Sequence, residues 1–402
     1  MQAILHIGDM KCGSKSIQGW LAANESLLRG QGFHRCSVTR HSIYDSGLAC
    51  SALDDADLTS EPRREHAIQA TADVLRYRRS LEAGLAAEVA ALPADAQAML
   101  FSHEMLLSLQ PPEVDRLMGL LRRQFSAVRV VAYLRRQDRL FLSLWGQRLK
   151  THDPGGTFCD DLLAHRSYLR MLETWERAVG RENLSVRVFD RKAFAGGDLL
   201  ADFRFVAGIP DHSHYQLPAF RNESLDTASQ NLLLHLRDRI QNQRERDRTR
   251  VVARLRRLLR LSGRARPGPI AFPPTLSTFL WQYCTGSGIR PARGWAERIV
   301  AACAKENEEI RRRFCPDRQE LFDREFSEYP PEGNPPGEGY TGCDPDSMRR
   351  EPLAPPEPEH VAEAYRLVLG RTPSTSEVDS ARRQTLNIAH LYATLLARSR
   401  AA

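Results

Sequence analysis

The first thirty residues constrain the fold most, because they follow the pattern of a strand, a tight turn and a helix in immediate succession. Gln2 to Ile7 is a short apolar run, and Gly8 and Gly13 bound the segment that follows it. Apolar residues then recur at helical spacing from Ser16 to Arg29. A strand that leads into a helix through a glycine turn predicts the first unit of an α/β protein.

Three further apolar or β-branched runs predict additional strands, namely Ala96 to Phe101, Val128 to Leu134 and Leu184 to Phe189. Helical periodicity separates them, from about Glu65 to Ala91 and again up to Leu149. This alternation predicts an α/β fold with a parallel sheet flanked by helices. Ligands of such sheets bind outside the carboxyl ends of the strands.

Size and charge restrict the class of protein without identifying it. The chain has 402 residues, of which 42% are hydrophobic, so it can bury one large core and carry a second, smaller unit. Its formal net charge of +7 favours a polyanionic partner. Nucleic acid, anionic lipid, acidic glycan and a multiply phosphorylated nucleotide all meet that description.

The eight cysteines are scattered, with no C-x-x-C pair and no Cys/His cluster at zinc spacing. We therefore expect reduced thiols and no metal site. The N-terminus lacks the regions of a signal peptide, and no window is apolar enough for a transmembrane helix. These features predict a cytoplasmic protein.

The second half of the chain divides by composition. Residues 241–266 hold ten arginines with interleaved leucines and valines, which predicts a basic amphipathic helix packed on one side. The alternative is a peripheral contact of Arg244 to Arg266 with an anionic membrane or an acidic glycan. Residues 329–359 are rich in Pro and Gly and predict a linker, and 360–402 regain helical spacing. The predicted domains are therefore an α/β domain over 1–328, that linker, and a small all-α module over 360–402.

The segment from Gly8 to Ser16 has the composition of an anion site. Its glycines permit a tight turn, the helix that follows offers unpaired N–H groups, and its lysines add positive charge. The nearest common motif is the P-loop G-x-x-x-x-G-K-[ST]. Here Ser14 occupies the lysine position of that motif and Lys15 its hydroxyl position, so the register is off by one.

Residues 6–18, HIGDMKCGSKSIQ, instead resemble the 5′-phosphosulfate loop of the sulfotransferase family, H-I-G-x-x-K-T-G-[ST]-[ST]-[ST]-[IL]-Q. Residues 130–143, VVAYLRRQDRLFLS, are similar to the family's 3′-phosphate segment, a strand that ends in Arg with Ser eight residues later. Weaker matches extend the resemblance to bacterial sulfotransferase domains over roughly residues 2–235. Residues 361–373 resemble a small helical module with the pattern Y-x-x-[LV]-L-G-R-x-P, which is appended to bacterial surface and glycan-modifying proteins.

The resemblance implies a P-loop-like sulfotransferase fold and 3′-phosphoadenosine 5′-phosphosulfate (PAPS) as the sulfuryl donor. Lys11 would neutralise the departing phosphate, and Arg135 and Ser143 would hold the 3′-phosphate. The other donor-binding residues would be Cys12, Gly13, Ser14, Lys15 and Ser16. Cys12 departs from the usual Thr and Lys15 from the usual hydroxyl residue, and Lys15 would either add a phosphate contact or point away.

The resemblance also implies a catalytic base. Residues 101–104, FSHE, are similar to the family's strand that ends in Ser-Ser-Glu, which makes Glu104 the first candidate to take a proton from an acceptor. His103 is the second candidate, because a neutral imidazole can do the same. The structural alternative is that Glu104 caps the next helix or pairs with an arginine.

Three functions remain open at this point. The first is an enzyme that moves a sulfuryl group from PAPS to a hydroxyl or amine of a carbohydrate or small metabolite, without metal and without nucleic acid as partner. The second is a binding or scaffold protein that keeps the fold without the activity. The third is a P-loop kinase or NTPase, which would need a magnesium-binding hydroxyl and a strand-end Asp.

Overall fold

The computed structural model of the chain describes residues 1–151, 166–218, 224–242, 272–333, 345–349 and 351–401. Residue contacts divide the chain into two compact units. The first comprises Met1–Leu140, Leu162–Arg221 and Arg298–Glu325. The second comprises Phe141–Asp161, Asn222–Glu297 and Phe326–Ala402.

The first unit is built on a parallel sheet of five strands in the order β2-β3-β1-β4-β5. The strands are β1 Gln2–His6, β2 Phe33–Arg35, β3 Ala98–Ser102, β4 Ala127–Leu134 and β5 Leu184–Val188. β1 lies between β3 and β4, with Ile4 opposite both Leu100 and Arg129. The carboxyl end of β1 is therefore the point where the two halves of the sheet meet, which is the usual ligand position in such folds.

Helices connect the strands and make up the second unit. In chain order they are α1 Ser14–Ala23, α2 Glu25–Gly30, α3 Ser46–Ala52, α4 Glu61–Glu65, α5 Thr71–Ala90, α6 Pro111–Arg122, α7 Gln137–Thr151, α8 Tyr168–Val179, α9 Leu199–Ala207, α10 over 227–242, α11 Pro274–Tyr283, α12 Arg293–Ala302, α13 Ala304–Phe314, α14 Pro358–Leu369, α15 Thr375–Gln384 and α16 Ile388–Ala401. Their ends follow local chemistry. For example, α6 begins at Pro111, and the Glu113 carboxylate accepts the Gln110 N–H at 2.8 Å.

The predicted fold class is confirmed, and all four predicted strands are present within two residues of their expected bounds. The strand β2 was not predicted, because it has only three residues and two of them, His34 and Arg35, are polar. The single helix predicted from Ser16 to Arg29 is wrong, since α1 and α2 are separated at Asn24. The Asn24 side chain donates to the Trp20 carbonyl at 2.8 Å and to the Gln216 carbonyl at 2.9 Å. These bonds hold Asn24 outside helical geometry.

One core of the first unit lies under the carboxyl half of β1 and α1. It includes the fully buried residues Ile4, Ile17, Trp20 and Phe203. Trp20 packs edge-on against Tyr215 at 4.9 Å between ring centroids and is a core residue. The α1 helix is therefore fixed against the sheet at its apolar face.

The second unit has a core to which the C-terminal helices contribute. Val361 and Tyr365 of α14 and Tyr392 of α16 pack in one hydrophobic cluster with Leu232 of α10 and Leu276 of α11. The described residues of 360–401 thus share a core with the described residues of 225–242 and 272–284, whereas the sequence predicts consecutive, separate domains. Helical spacing shows which face of a helix is buried but not which helix it is buried against.

Some predictions fall on other parts of the chain. The Arg-rich helix predicted over 241–266 lies outside the described residues beyond Asn242. In the predicted linker, the described Tyr329 and Met348 are fully buried. The helix α14 ends at Leu369, and Gly370 follows it in the left-handed conformation that caps a helix. Within the described ranges, no helix combines the length and apolar character needed to cross a bilayer.

Candidate active site

The loop between β1 and α1 forms a compact turn at the carboxyl end of the central strand. Lys11 and Gly13 have left-handed backbone conformations, with φ of 65° and 76°. The Cys12 N–H donates to the Asp9 carbonyl at 3.2 Å, and the Ser16 N–H donates to the Gly13 carbonyl at 2.9 Å. The loop is followed directly by the first turn of the ten-residue helix α1. The N–H groups in the first turn of a helix lack intrahelical partners and attract anions.

Glycine is required at two positions of this loop. At Gly13, a Cβ would overlap Leu199 and lie 2.9 Å from the Phe189 ring, in addition to the strain of the left-handed backbone. At Gly8, a Cβ would lie only 2.5 Å from Nε2 of His6. The two glycines that the sequence singled out therefore allow the backbone to pass close to its neighbours.

The predicted donor-binding side chains of the loop differ in exposure. Lys11 is half-buried, Lys15 is exposed, Ser14 is buried and Ser16 is half-buried. The Ser14 hydroxyl lies 3.5 Å from the Asp9 carbonyl oxygen. Of the two lysines of the loop, Lys11 is therefore less exposed to solvent than Lys15.

Cys12 faces the core rather than the solvent. Its thiol is fully buried in the cluster that contains Ile17 and Leu200, and this burial raises its pKa to about 12, against the opposing effect of Arg135. The thiol is therefore protonated at neutral pH, and its side chain fills space behind the loop.

Arg135, the first residue after β4, meets the loop directly. Its Nη1 donates to the Lys11 carbonyl at 2.8 Å, and its guanidinium lies 5.5 Å from the centroid of the Phe189 ring. The structure thus brings together the two sequence segments that the resemblance connects with the nucleotide. Ser143, the other residue predicted for the 3′-phosphate, lies half-buried on α7, in the stretch that groups with the second unit.

The neighbouring Arg136 has a structural role. It is almost fully buried and makes two hydrogen bonds of 2.8 Å to the Asp138 carboxylate. It also donates to the Asp323 carboxylate at 2.5 Å. Of the two consecutive arginines, only Arg135 is directed to the loop.

A buried carboxylate in the loop was not predicted. Asp9 is fully buried and pairs with the guanidinium of Arg166. Its oxygens also accept from the Met10 N–H at 2.7 Å and from Tyr168 Oη at 3.0 Å, and Tyr168 Oη lies 3.0 Å from the Arg135 carbonyl as well. Arg166 therefore neutralises a negative charge at the point where an anion would bind.

The candidate base Glu104 follows β3 and is tied to α1. Its Oε2 accepts from Nε2 of Gln18 at 3.0 Å, and Gln18 lies one helical turn after Ser14. Burial alone would raise the pKa of Glu104, but the charge that His103 carries once it is protonated in acid and the bond from Gln18 outweigh it, so the pKa of Glu104 lies below the usual glutamate value. Glu104 is thus ionised at neutral pH and can accept a proton.

Two histidines accompany Glu104. His103 is buried, its Nδ1 accepts the Met105 N–H at 3.3 Å, and burial lowers its pKa. His6 is fully buried, and its Nδ1 lies 2.7 Å from the Ser102 hydroxyl. Burial lowers the pKa of His6 to about 4, although Glu104 opposes this. Both imidazoles are therefore neutral at pH 7, and His6 is a buried core residue at the end of β1.

Cysteine and metal chemistry can be stated only for the described part of the chain. There, six cysteines are free thiols and all are buried. Within the same residues, no group of three or more His, Cys, Asp and Glu side chains could hold a metal ion.

Two known proteins are each similar to part of this chain. No protein-family model matches the chain. An uncharacterised protein of Archaeoglobus fulgidus is 30% identical over 168 residues, which is 41% of this chain and 45% of that protein. The chain thus spans less than half the length of the curated relative that it matches. The crystal structure of a sulfotransferase from Alicyclobacillus acidocaldarius aligns with 65% of this chain and 96% of its own, at 13% identity and a TM-score of 0.34. These values carry no argument about function.

Proposed function

We propose that the protein is a sulfotransferase that moves a sulfuryl group from PAPS to a hydroxyl or amine of a carbohydrate or other small acceptor. The observation that carries the proposal is the hydrogen bond from Arg135 to the Lys11 carbonyl. It joins a glycine-bounded loop at a helix N-terminus to the arginine that ends the next strand. Glu104 follows β3, which lies on the other side of β1 from β4, and is the third residue of the proposed site.

The charge of the loop suits a phosphorylated donor. Lys11 and Arg135 are cations, the N-terminal end of α1 adds the positive end of the helix dipole, and Arg166 compensates Asp9. Lys11, Arg135 and the N-terminus of α1 therefore give the loop the positive charge that suits the phosphates of the nucleotide. The resemblance to sulfotransferases implies that Arg135 holds the 3′-phosphate, and the planar fork of a guanidinium is chemically suited to a terminal phosphate.

The proposed reaction gives roles to Lys11, Glu104 and His103. PAPS would supply a sulfuryl group on a phosphate leaving group. The sulfur–oxygen bond to that phosphate breaks as a bond forms from sulfur to the acceptor oxygen or nitrogen. Lys11 stabilises the charge that develops on the departing phosphate. The acceptor proton passes to the ionised Glu104, with the neutral His103 beside it as the alternative base.

A calorimetric titration with 3′-phosphoadenosine 5′-phosphate (PAP) tests the donor site. We expect wild type to bind PAP more tightly than adenosine 5′-phosphate, and Arg135→Ala to lose about 1.5–3 kcal/mol toward PAP alone. The exposed Arg191→Ala, which lies outside the loop, is the matched control. An equal loss of affinity for both nucleotides would assign Arg135 another role.

Turnover separates the enzyme from the alternatives. A scaffold protein would bind PAP but would not transfer sulfate from labelled PAPS to any acceptor. A kinase or NTPase would show no preference for the 3′-phosphate and would hydrolyse ATP with magnesium instead.

A further inference from the structure

A cluster of aromatic and acidic side chains lies next to Glu104 and has no role in the proposed donor site. It consists of His41, Tyr44, Glu65, His66 and His103, which we call the tyrosine–histidine cluster. The Tyr44 and His103 rings lie 5.6 Å apart, and the His41 and His66 rings lie 5.9 Å apart. Since His103 immediately precedes Glu104, the cluster adjoins the proposed base.

Glu65 is central to the cluster and is only partly satisfied. Its Oε1 accepts from the Tyr44 hydroxyl at 2.6 Å and lies 3.7 Å from Nδ1 of His41. Its Oε2 is buried and has no hydrogen-bond partner among the described residues. A buried carboxylate oxygen without a donor is costly, so a ligand N–H that reaches this atom would remove that cost.

Backbone strain is concentrated in the same places. Among the described residues, the non-glycine residues with positive φ are Lys11, Ser42 and Ala67. Lys11 belongs to the loop, Ser42 follows His41, and Ala67 follows His66. Such conformations persist where the surrounding structure holds them, and they are common at ligand sites.

The charges that act on Tyr44 in the cluster are negative. Burial lowers the pKa values of His66 and His103, so both imidazoles are neutral at pH 7. Burial has the largest effect on Tyr44 and raises its pKa. Carboxylates raise this pKa further, and Glu65 contributes most among them, through its hydrogen bond and its charge. Glu61 and Glu104 add to this effect. A cationic acceptor is therefore favoured over an anionic one.

We propose that the tyrosine–histidine cluster is the acceptor subsite. It binds an amine-bearing acceptor, whose N–H group donates a hydrogen bond to Oε2 of Glu65. This inference rests on the proposed sulfotransferase function. His41, whose side chain is 47% exposed, leaves the cluster open to solvent at one edge. Tyr44 and the imidazoles offer flat faces and polar edges, which suit a sugar ring that carries an ammonium group.

The test uses the full chain with ¹³C-labelled histidine, observed by NMR with PAP present. Glucosamine, glucose and glucuronic acid are the probes, because they share one ring and differ in charge. Glucosamine should shift the signals of His41 and His66 with an affinity about tenfold above that for glucose. Glucuronic acid should shift neither. Equal affinities for all three sugars, a preference for glucuronic acid, or unshifted signals would overturn the inference.

Substitutions test whether Glu65 causes the preference for glucosamine over glucose. In Glu65→Gln the preference for glucosamine over glucose should disappear, while Tyr44→Phe, which keeps the carboxylate, should retain it. Glu82→Gln, on the half-exposed face of α5, is the matched control and should behave as wild type. A preference that survives in Glu65→Gln would overturn the assignment.

The PAP titration keeps the two proposals distinguishable. If PAP binds normally but glucosamine shifts no cluster signal, this inference fails and the donor site stands. If glucosamine binds at the cluster but PAP does not bind, the amine site stands and the sulfotransferase proposal fails.

Discussion

The buried pair of Asp9 and Arg166 predicts a change in stability that can be derived from its contacts. Asp9 has no exposed surface, and the Arg166 side chain is 14% exposed. Arg166→Met removes the guanidinium but keeps most of the apolar volume. Breaking a buried ion pair costs about 3–5 kcal/mol of unfolding free energy. Asp9 keeps its bonds from Met10 and Tyr168, so we expect a loss at the lower end, about 3 kcal/mol.

The reciprocal change should cost less. Asp9→Asn leaves the Arg166 guanidinium without its carboxylate, but this group retains some contact with water, so the expected loss is about 1 kcal/mol. The double variant Asp9→Asn with Arg166→Met buries no unpaired charge and should also lose only about 1 kcal/mol. The coupling energy between the two sites is then about 3 kcal/mol.

Urea unfolding of the four proteins measures this cycle, with circular dichroism and tryptophan fluorescence followed together to test for a single transition. The same proteins are titrated with PAP. Arg166→Met should weaken PAP binding at least about tenfold, because it leaves an uncompensated carboxylate in the anion loop. The double variant should recover most of that affinity. Additive losses of stability, or PAP binding that is unaffected by Arg166→Met, would refute the role of the pair.

Three other changes test the remaining parts of the molecule. Lys11→Ala should reduce sulfuryl transfer at least about 100-fold without a change in thermal stability, whereas the exposed Lys192→Ala should leave transfer intact. Glu104→Gln should keep PAP affinity and lower turnover roughly 100-fold. Because the pKa of Glu104 is lowered, wild-type turnover should fall only when the pH drops below the usual glutamate range. Tyr392→Ala, in the core of the second unit, should cost about 3–5 kcal/mol of stability and leave PAP affinity unchanged, and a loss of PAP affinity would contradict the division into units.

The strands that could be predicted from the sequence share one property. β1, β3, β4 and β5 are continuous apolar or β-branched runs, as expected for strands buried on both faces of a parallel sheet. The three-residue β2 at the edge of the sheet lacks that signal. The break at Asn24 depends on Gln216, which lies 192 residues away, so local periodicity gives no indication of it.

In the candidate site, too, local sequence patterns indicated some residues, while contacts between residues far apart in the chain were not predicted. Lys11, Arg135 and Glu104 stand at strand ends, where a sequence pattern can place them. The pair of Asp9 and Arg166 joins residues 157 positions apart and has no spacing rule, so it was missed. A carboxylate in an otherwise basic loop was the available signal, because a buried Asp requires a cation or several donors.

The departures of the loop from the usual sulfotransferase pattern each have a structural explanation that leaves anion binding possible. Cys12 replaces a threonine at a position whose side chain is buried in the core, so the change alters packing behind the loop rather than the face toward a ligand. Lys15 is exposed, so its charge is not forced into the turn. Asp9 stands at a position that the pattern leaves open, and its charge is compensated by Arg166. The proposed nucleotide binding therefore rests on residues that match the pattern, such as Lys11 and Gly13, and on Arg135, which follows β4 and donates to the Lys11 carbonyl.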